Sequence, residues 1–276
     1  MRNLSLNGRT MKTQEPASVE NWNAFWNFHL GVWKGRWARY QPNGELLETF
    51  LSSRSFEADP NKKVINQLNQ YSYDNGFHAE KNWNYSLLDH CKEDGFMHPA
   101  SDYMRGLAFK NGAAAWLVPQ VISNQYFPME LFLANDNIRH SVGMLYGPDG
   151  TLERTACIRE QRQGLDQSTW TDDVHVIPAW NEGSNWHGVT DIIDSALNRS
   201  TTEETFEKKS QADQSEYFFP DNIILRCPKQ LPINKPFTVS SLWLESATQL
   251  QTIRTSYGAD SKLIDVRLEK LSRLRY

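Results

Sequence analysis

Few side chains in this sequence stand in a pattern that does chemistry. His140 alternates with Ile138, Val142, Met144 and Tyr146, so on an extended strand it shares one face with apolar residues. If that face turns inward, an imidazole beside the adaptable Met144 is a hydrogen-bonding anchor for a bound ligand. The commoner fate of such a histidine is satisfaction by a neighbouring carbonyl or a place at a rim. Tyr71, Trp116, Tyr126 and Phe132 are the aromatic residues that could line the same volume, and each serves as well for plain core. Glu130, between Met129 and Leu131, and Asp265, between Ile264 and Val266, are acid–base candidates if they face inward and burial raises their pKa. Alternation turns both outward wherever their apolar neighbours form the core. Phe132 shares the side of Glu130 and leaves that orientation open.

Other chemistries find no footing. His78, His90, Cys91 and His98 fall in one region, but none of the Cys-x-x-Cys, His-x-His or His-Glu-x-x-His spacings occurs, and neighbours on a strand point to opposite faces. No metal site is expected. There is no Gly-x-Ser-x-Gly elbow, and Cys157 sits between Ala156 and Ile158 as a structural thiol. No glycine-rich phosphate cradle or Walker-type lysine is present, which sets nucleotide enzymes aside, and no cofactor is expected. Catalytic residues stay unassigned.

The elements that must position these groups read as strands. The chain has 276 residues, 39% hydrophobic and 22% charged, enough for a sizeable core. Its 29 basic and 33 acidic side chains leave a net charge of −4, so no field draws nucleic acid. Mean hydropathy is −0.63 and no apolar run reaches bilayer length, which excludes a transmembrane helix and predicts a soluble chain. Three cysteines, Cys91, Cys157 and Cys227, fit a reducing compartment and a cytoplasmic location.

From Val19, the positions Val19, Trp22, Phe25, Trp26 and Leu30 follow helical spacing and end at Gly31. Beyond that, period-two alternation dominates, and Pro42-Asn43-Gly44, Asp74-Asn75-Gly76, Asn111-Gly112 and Pro148-Asp149-Gly150 mark hairpin turns. An all-β chain with so many short connections removes its edges by closing into barrels.

A weak internal repeat supports two such barrels. Trp186-His187-Gly188 follows Trp33-Lys34-Gly35 at an offset of 153, and Glu204-Thr205-Phe206 follows Glu48-Thr49-Phe50 at 156. Tyr257-Gly258 then follows Tyr146-Gly147 at 111, and Val266-Arg267 follows Ile158-Arg159 at 108. The falling offset places an insertion between Lys62 and Gln125 of the first copy, expected to be loop. The organisation expected is a flexible terminus at 1–20, a barrel with expanded middle loops at 21–162, a linker at 163–184 and a smaller barrel at 185–276.

Gly31-Val32-Trp33 at the first strand and Arg159 on the last resemble the lipocalin or calycin signature, in which the tryptophan plugs one end of the barrel and the arginine packs across its ring. Trp186 and Arg267 stand in the corresponding places of the second copy, with Asn185 where the motif has glycine. The opening Leu30-Gly31-x-Trp33-x-Gly35-x-Trp37 and the turn Gln41-Pro42-Asn43-Gly44-Glu45 are similar to those of a lipocalin-like family of unknown function from cyanobacteria and plastids.

The resemblance implies two tandem antiparallel barrels with a short N-terminal helix, in a cyanobacterial cytosol or plastid stroma. It also implies a binding protein or carrier for a small hydrophobic ligand such as a lipid, carotenoid or tetrapyrrole, with no reaction to carry over. Two alternatives remain: a calycin-like isomerase, cyclase or bilin-lyase-type enzyme, and a scaffold in a photosynthetic assembly whose protein partner the sequence leaves unspecified.

Overall fold

The computed structural model describes residues 15–205, 213–232 and 234–273. A helix, α1 (Ala17–His29), precedes a first run of strands: β1 (Gly31–Tyr40), β2 (Leu46–Ala58), β3 (Val64–Tyr73) and β4 (His78–Ser86). A single turn, α2 (Leu87–His90), leads into β5 (Cys91–Lys92), β6 (Gly95–His98), β7 (Ser101–Ala108), β8 (Ala114–Leu117), β9 (Phe127–Asn135), β10 (Ile138–Tyr146) and β11 (Leu152–Arg162). A second run comprises β12 (His187–Asp194), β13 (Arg199–Thr205), β14 (Gln214–Phe219), β15 (Ile223–Pro228), β16 (Phe237–Ser246), β17 (Gln249–Tyr257) and β18 (Leu263–Ser272).

The protein is all-β, built of two antiparallel sheets. The first is ordered β4-β3-β2-β1-β11-β10-β9-β8-β7-β6-β5 and the second β13-β12-β18-β17-β16-β15-β14. The glycine-bearing turns behave as their sequence predicts, with Gly44, Gly76, Gly112 and Gly150 all at positive φ.

The first sheet curls into a nearly closed barrel. Its edge strands β4 and β5 are joined through α2, and aromatic rings close the seam: Trp83 and Tyr85 of β4 lie edge-on to His98 of β6 at 5.4 and 5.8 Å. The residues between Lys62 and Gln125, expected as loops, are in large part strands β3 to β8 and supply a barrel wall. Helix α1 stoppers one end. It buries Trp22, Phe25, Trp26 and His29 and is stapled to β7 by Asn21, which donates to the Gly106 carbonyl and accepts from the Ala108 amide.

Two tryptophans have matching surroundings, Trp33 on β1 and Trp186 immediately before β12. Trp33 donates from Nε1 to the His29 carbonyl at 2.9 Å, and Trp186 donates to the Glu182 carbonyl at 3.0 Å. Each lies under a guanidinium at 4.4 Å, that of Arg162 for Trp33 and that of Arg273 for Trp186. This corrects the assignment of Arg159 and Arg267 to those rings. Arg159 points to the other face of β11 and bonds Asp221 and the carbonyls of Thr171 and Asp173, while Arg267 bonds Asp265. On β11 the shift of three residues from Arg159 to Arg162 reverses the face, while Arg273 lies just past the end of β18.

The two sheets pack face to face. Ala38 and Tyr40 of β1, Leu131 and Leu133 of β9, Val142 and Met144 of β10 and Cys157 of β11 share one apolar cluster with Val239 and Trp243 of β16, Ile253 of β17 and Val266 and Leu268 of β18. The barrel interior has its own cluster around Trp22, Trp26, Trp33, Phe96, Trp116 and Phe132.

Candidate functional site

The pleat of β1 sends Trp33, Gly35 and Trp37 into the barrel and Ala38 and Tyr40 to the second sheet. Gly35 is required there. An added Cβ would sit 2.5 Å from Cγ of Glu160 and 2.9 Å from the carbonyl of Arg159, so only hydrogen leaves Glu160 its place. Pairing of β1 with β2 and β11 sets Arg54 and Arg162 on either side of Trp33, and Ser52 and Glu160 on either side of Gly35.

Inside lies a cavity of about 190 Å³ walled by Phe25, Trp37, Phe56, Trp83, Tyr85, Trp116 and Phe132, with Arg54, Glu130 and Arg139 among its polar lining. A second space of about 200 Å³ is bordered by Pro128, Gly143, Leu145, Arg154 and Ala156. The two share Trp37, Met104 and Glu130, so they are neighbouring chambers.

The cavity's polar side is a cluster of charges. Glu160 is fully buried and grips two arginines: Arg54 donates to it from both Nε and Nη2, and Arg139 donates from Nε at 2.7 Å. Burial works against its ionisation, but Arg139 and Arg54 outweigh it and hold the carboxyl below the usual range. Glu130 is different. It accepts from the Ser141 hydroxyl at 2.7 Å and stands 3.7 Å from Nη1 of Arg54, and burial pushes its carboxyl upward. Arg139 also donates to Nδ1 of His29 at 2.5 Å, and burial, reinforced by that arginine, lowers the His29 pKa well below its ordinary value. His29 is therefore neutral, with Nδ1 as acceptor.

Across the cavity runs a hydrogen-bonded ladder on β3 and β4. Tyr85 donates to Gln67 at 2.8 Å, Gln67 to Asn69 at 2.9 Å, and Asn69 to the Tyr71 hydroxyl at 2.9 Å. The chain ends at a hydroxyl that accepts and has a proton left to give.

Of the ligand-binding candidates, the fold brings Tyr71, Trp116 and Phe132 together on this cavity. Met144 belongs to the apolar cluster between the sheets and also borders the adjoining chamber. The expectation that His140 faces the interior is corrected, since its ring points into the layer between the sheets and meets Trp243 edge-on at 4.5 Å. Burial lowers the His140 pKa to about 4. Tyr126 lies in the connection before β9 and is half exposed.

Glu130 faces inward, whereas Asp265 is engaged by Arg267 at 2.9 Å. His98 lines the cavity among the rings of Trp83, Tyr85 and Trp116, its pKa lowered to about 4 by burial and then by His90. Burial pushes the Cys157 thiol up to about 12, as suits an unreactive core group. Sequence reasoning missed Trp37, Arg54, Arg139 and Glu160. The available signal was the alternation Ile158, Glu160, Arg162, which puts an acid between an aliphatic residue and the arginine over Trp33.

Comparison with known proteins follows the fold. Residues 18–165 match the family model described as "Domain of unknown function (DUF3598), N-terminal". A crystal structure of a protein of unknown function from the DUF3598 family of Nostoc punctiforme is similar at a TM-score of 0.67 and 18% identity, covering 92% of this chain and 99% of that one. An S-type phycobiliprotein lyase from Guillardia theta, 11% identical, covers 54% of this chain and 97% of that one at a TM-score of 0.37, too loose a likeness to bear on function. No curated protein matches.

Proposed function

We propose, from the premise that the chain belongs to the DUF3598 family, that its first sheet is a lipocalin-like barrel which binds a small hydrophobic ligand. The observation that carries this reading is the aromatic-walled cavity with a charged floor, a concave apolar site with a few convergent polar groups. Its size favours a slender molecule. The inner chamber of about 190 Å³ is below the roughly 300–1,000 Å³ usual for ligand sites, and that range is entered only when the adjoining chamber of about 200 Å³ is used as well. A lipid-like chain suits that space better than a bulky tetrapyrrole or a whole carotenoid.

The reading includes the second sheet as a smaller copy of the same unit, supported by the matching closures of Trp33 and Trp186. The domain limits expected from sequence, with a linker at 163–184, belong to it as well. Buried thiols at Cys157 and Cys227 favour a reducing compartment, and among the described residues no helix is long and apolar enough to cross a membrane.

The experiment is native mass spectrometry of gently purified protein, with Nile red titration of the emptied form. A stoichiometric hydrophobic adduct and saturable dye binding are expected. Ala156→Trp, which fills the outer chamber, should abolish both while the fold persists by circular dichroism. Unchanged binding in that variant, or no binding by either measure, would overturn the reading.

Glu130 favours a second reading, an enzyme that isomerises or cyclises its bound ligand. Its carboxyl is raised by burial and faces the same space as the Tyr71 hydroxyl, an arrangement suited to proton transfer. Chemical conversion of the bound molecule, lost in Glu130→Gln with binding retained, would establish it.

A further inference from the structure

We infer that the ligand of the first barrel carries an acidic head group that docks on Arg54, and that Glu130 yields to it by taking a proton. This deepens the binding reading and rests on it. Arg54 is clamped by Glu160 through Nε and Nη2, which fixes the plane of its guanidinium and leaves the Nη1 corner turned to Glu130. Among the described residues no hydrogen bond is made at that corner. At 3.7 Å the Glu130 oxygen is near enough to balance charge but beyond hydrogen-bond distance.

The cluster holds two guanidiniums and two carboxyls, so it is neutral when both acids are ionised. The two acids are not equivalent. Glu160 is sealed, with no exposed side-chain surface, and is fastened to both arginines, while Glu130 keeps 22% of its side chain accessible and is held by the Ser141 hydroxyl and a looser pairing with Arg54.

An incoming carboxylate therefore has one charge it can replace. The proton comes from solvent and goes to Glu130, the ligand's negative charge takes the place of the one Glu130 gives up, and the cluster's total is unchanged. Protonated Glu130 then offers an O–H to the same carboxylate. Bringing in an anion without this exchange would leave an uncompensated charge in an apolar chamber.

The groups around Glu130 leave it as the one placed to take up a proton. Arg54 of β2, Arg139 of β10 and Glu160 of β11 are locked in mutual ion pairs. Tyr71 of β3 and Tyr85 of β4 are held protonated by burial, and His29 of α1 and His98 of β6 are held neutral.

The test compares decanoic acid with 1-decanol by isothermal titration on the full chain, in buffers of different ionisation enthalpy from pH 6 to pH 8. Decanoate should bind at least tenfold more tightly than decanol at pH 6, with a proton uptake that rises towards one, and an affinity that falls towards tenfold per pH unit, as pH climbs above the Glu130 pKa. Glu130→Gln leaves both arginines of Glu160 in place and imitates the protonated acid. It should bind decanoate more tightly than the parent at pH 8, and without pH dependence. Equal binding of acid and alcohol with no proton uptake would overturn the inference while the pocket stands. Binding of neither probe would overturn the pocket reading and this inference together.

Discussion

The hydroxyl of Tyr146, on β10, donates to the carbonyl of Pro228, on β15, across 2.8 Å. The reverse contact exists too: Tyr257 donates to the carbonyl of Val118 at 2.8 Å. The flanking backbone repeats the exchange, with the Leu152 amide donating to Lys229 and the Leu263 amide to Pro119. The two sheets are thus joined by polar contacts in reciprocal pairs around an apolar layer. Each tyrosine is fully buried, so Tyr146→Phe strands a buried carbonyl and should cost about 1–2 kcal/mol, and Tyr257→Phe about the same. Chemical denaturation of both variants measures this. A loss confined to one of them would show that the contacts are not equivalent.

Arg162 seals the stoppered end. Its guanidinium donates to the carbonyls of Leu30 and Phe28 while covering the indole of Trp33. Lysine keeps the charge but cannot span two carbonyls in one plane, so Arg162→Lys should lose about 1–3 kcal/mol. The fluorescence of a destabilised variant should report loosening at this end, read from the unfolding midpoint.

At Gly35 the constraint is steric. An alanine there drives a methyl against Glu160, and the acid cannot retreat without leaving Arg54 and Arg139. Gly35→Ala should cost about 1–3 kcal/mol by overpacking and should weaken ligand binding with it. A stable variant with full affinity would show that the charged cluster is not tied to β1.

Acid should unfold the protein early. His29, His98 and His140 all have lowered pKa values, the last two about 4, with burial as the first cause in each. The unfolded chain takes up these protons near pH 6.5 and the folded chain does not. Their contribution is therefore complete above about pH 6.5 and drains away as pH falls toward 4. His140→Phe keeps a ring against Trp243 and removes one such proton, so its stability should fall by about 2 kcal/mol less than the parent's between pH 7 and pH 5.

Glu130 acts in the opposite sense. Its raised pKa means that its stabilising effect is present at low pH and lost as pH rises through the folded value. Glu130→Gln should be more stable than the parent at pH 7, with the difference closing in the ordinary carboxylate range. Thermal melts across pH 4 to 8 supply both curves.

The elements themselves were legible in the chain. Alternation in Ile138 to Tyr146, glycines at the turns after Pro42 and Asp74, and the helical spacing of Trp22, Phe25 and Trp26 depend only on local backbone geometry. Trp33 and Trp186, which the sequence sets side by side, have matching hydrogen bonds and guanidinium contacts. What strand periodicity cannot report is which face is the inside. Period two tells only which residues travel together, and here both faces of β1, β9, β10 and β11 are buried, one on the barrel interior and one on the second sheet.

Apolar Val142 and Met144 therefore carried His140 to the sheet interface, while the polar positions Arg139, Glu130 and Glu160 went to the cavity. The sequence by itself determined the strands outside the stretch between Lys62 and Gln125, the glycine turns and the residues sharing each face. Only the packing of one sheet against the other decided which face became a pocket, because burying the aliphatic rows between the sheets left the charged rows to satisfy one another inside the barrel.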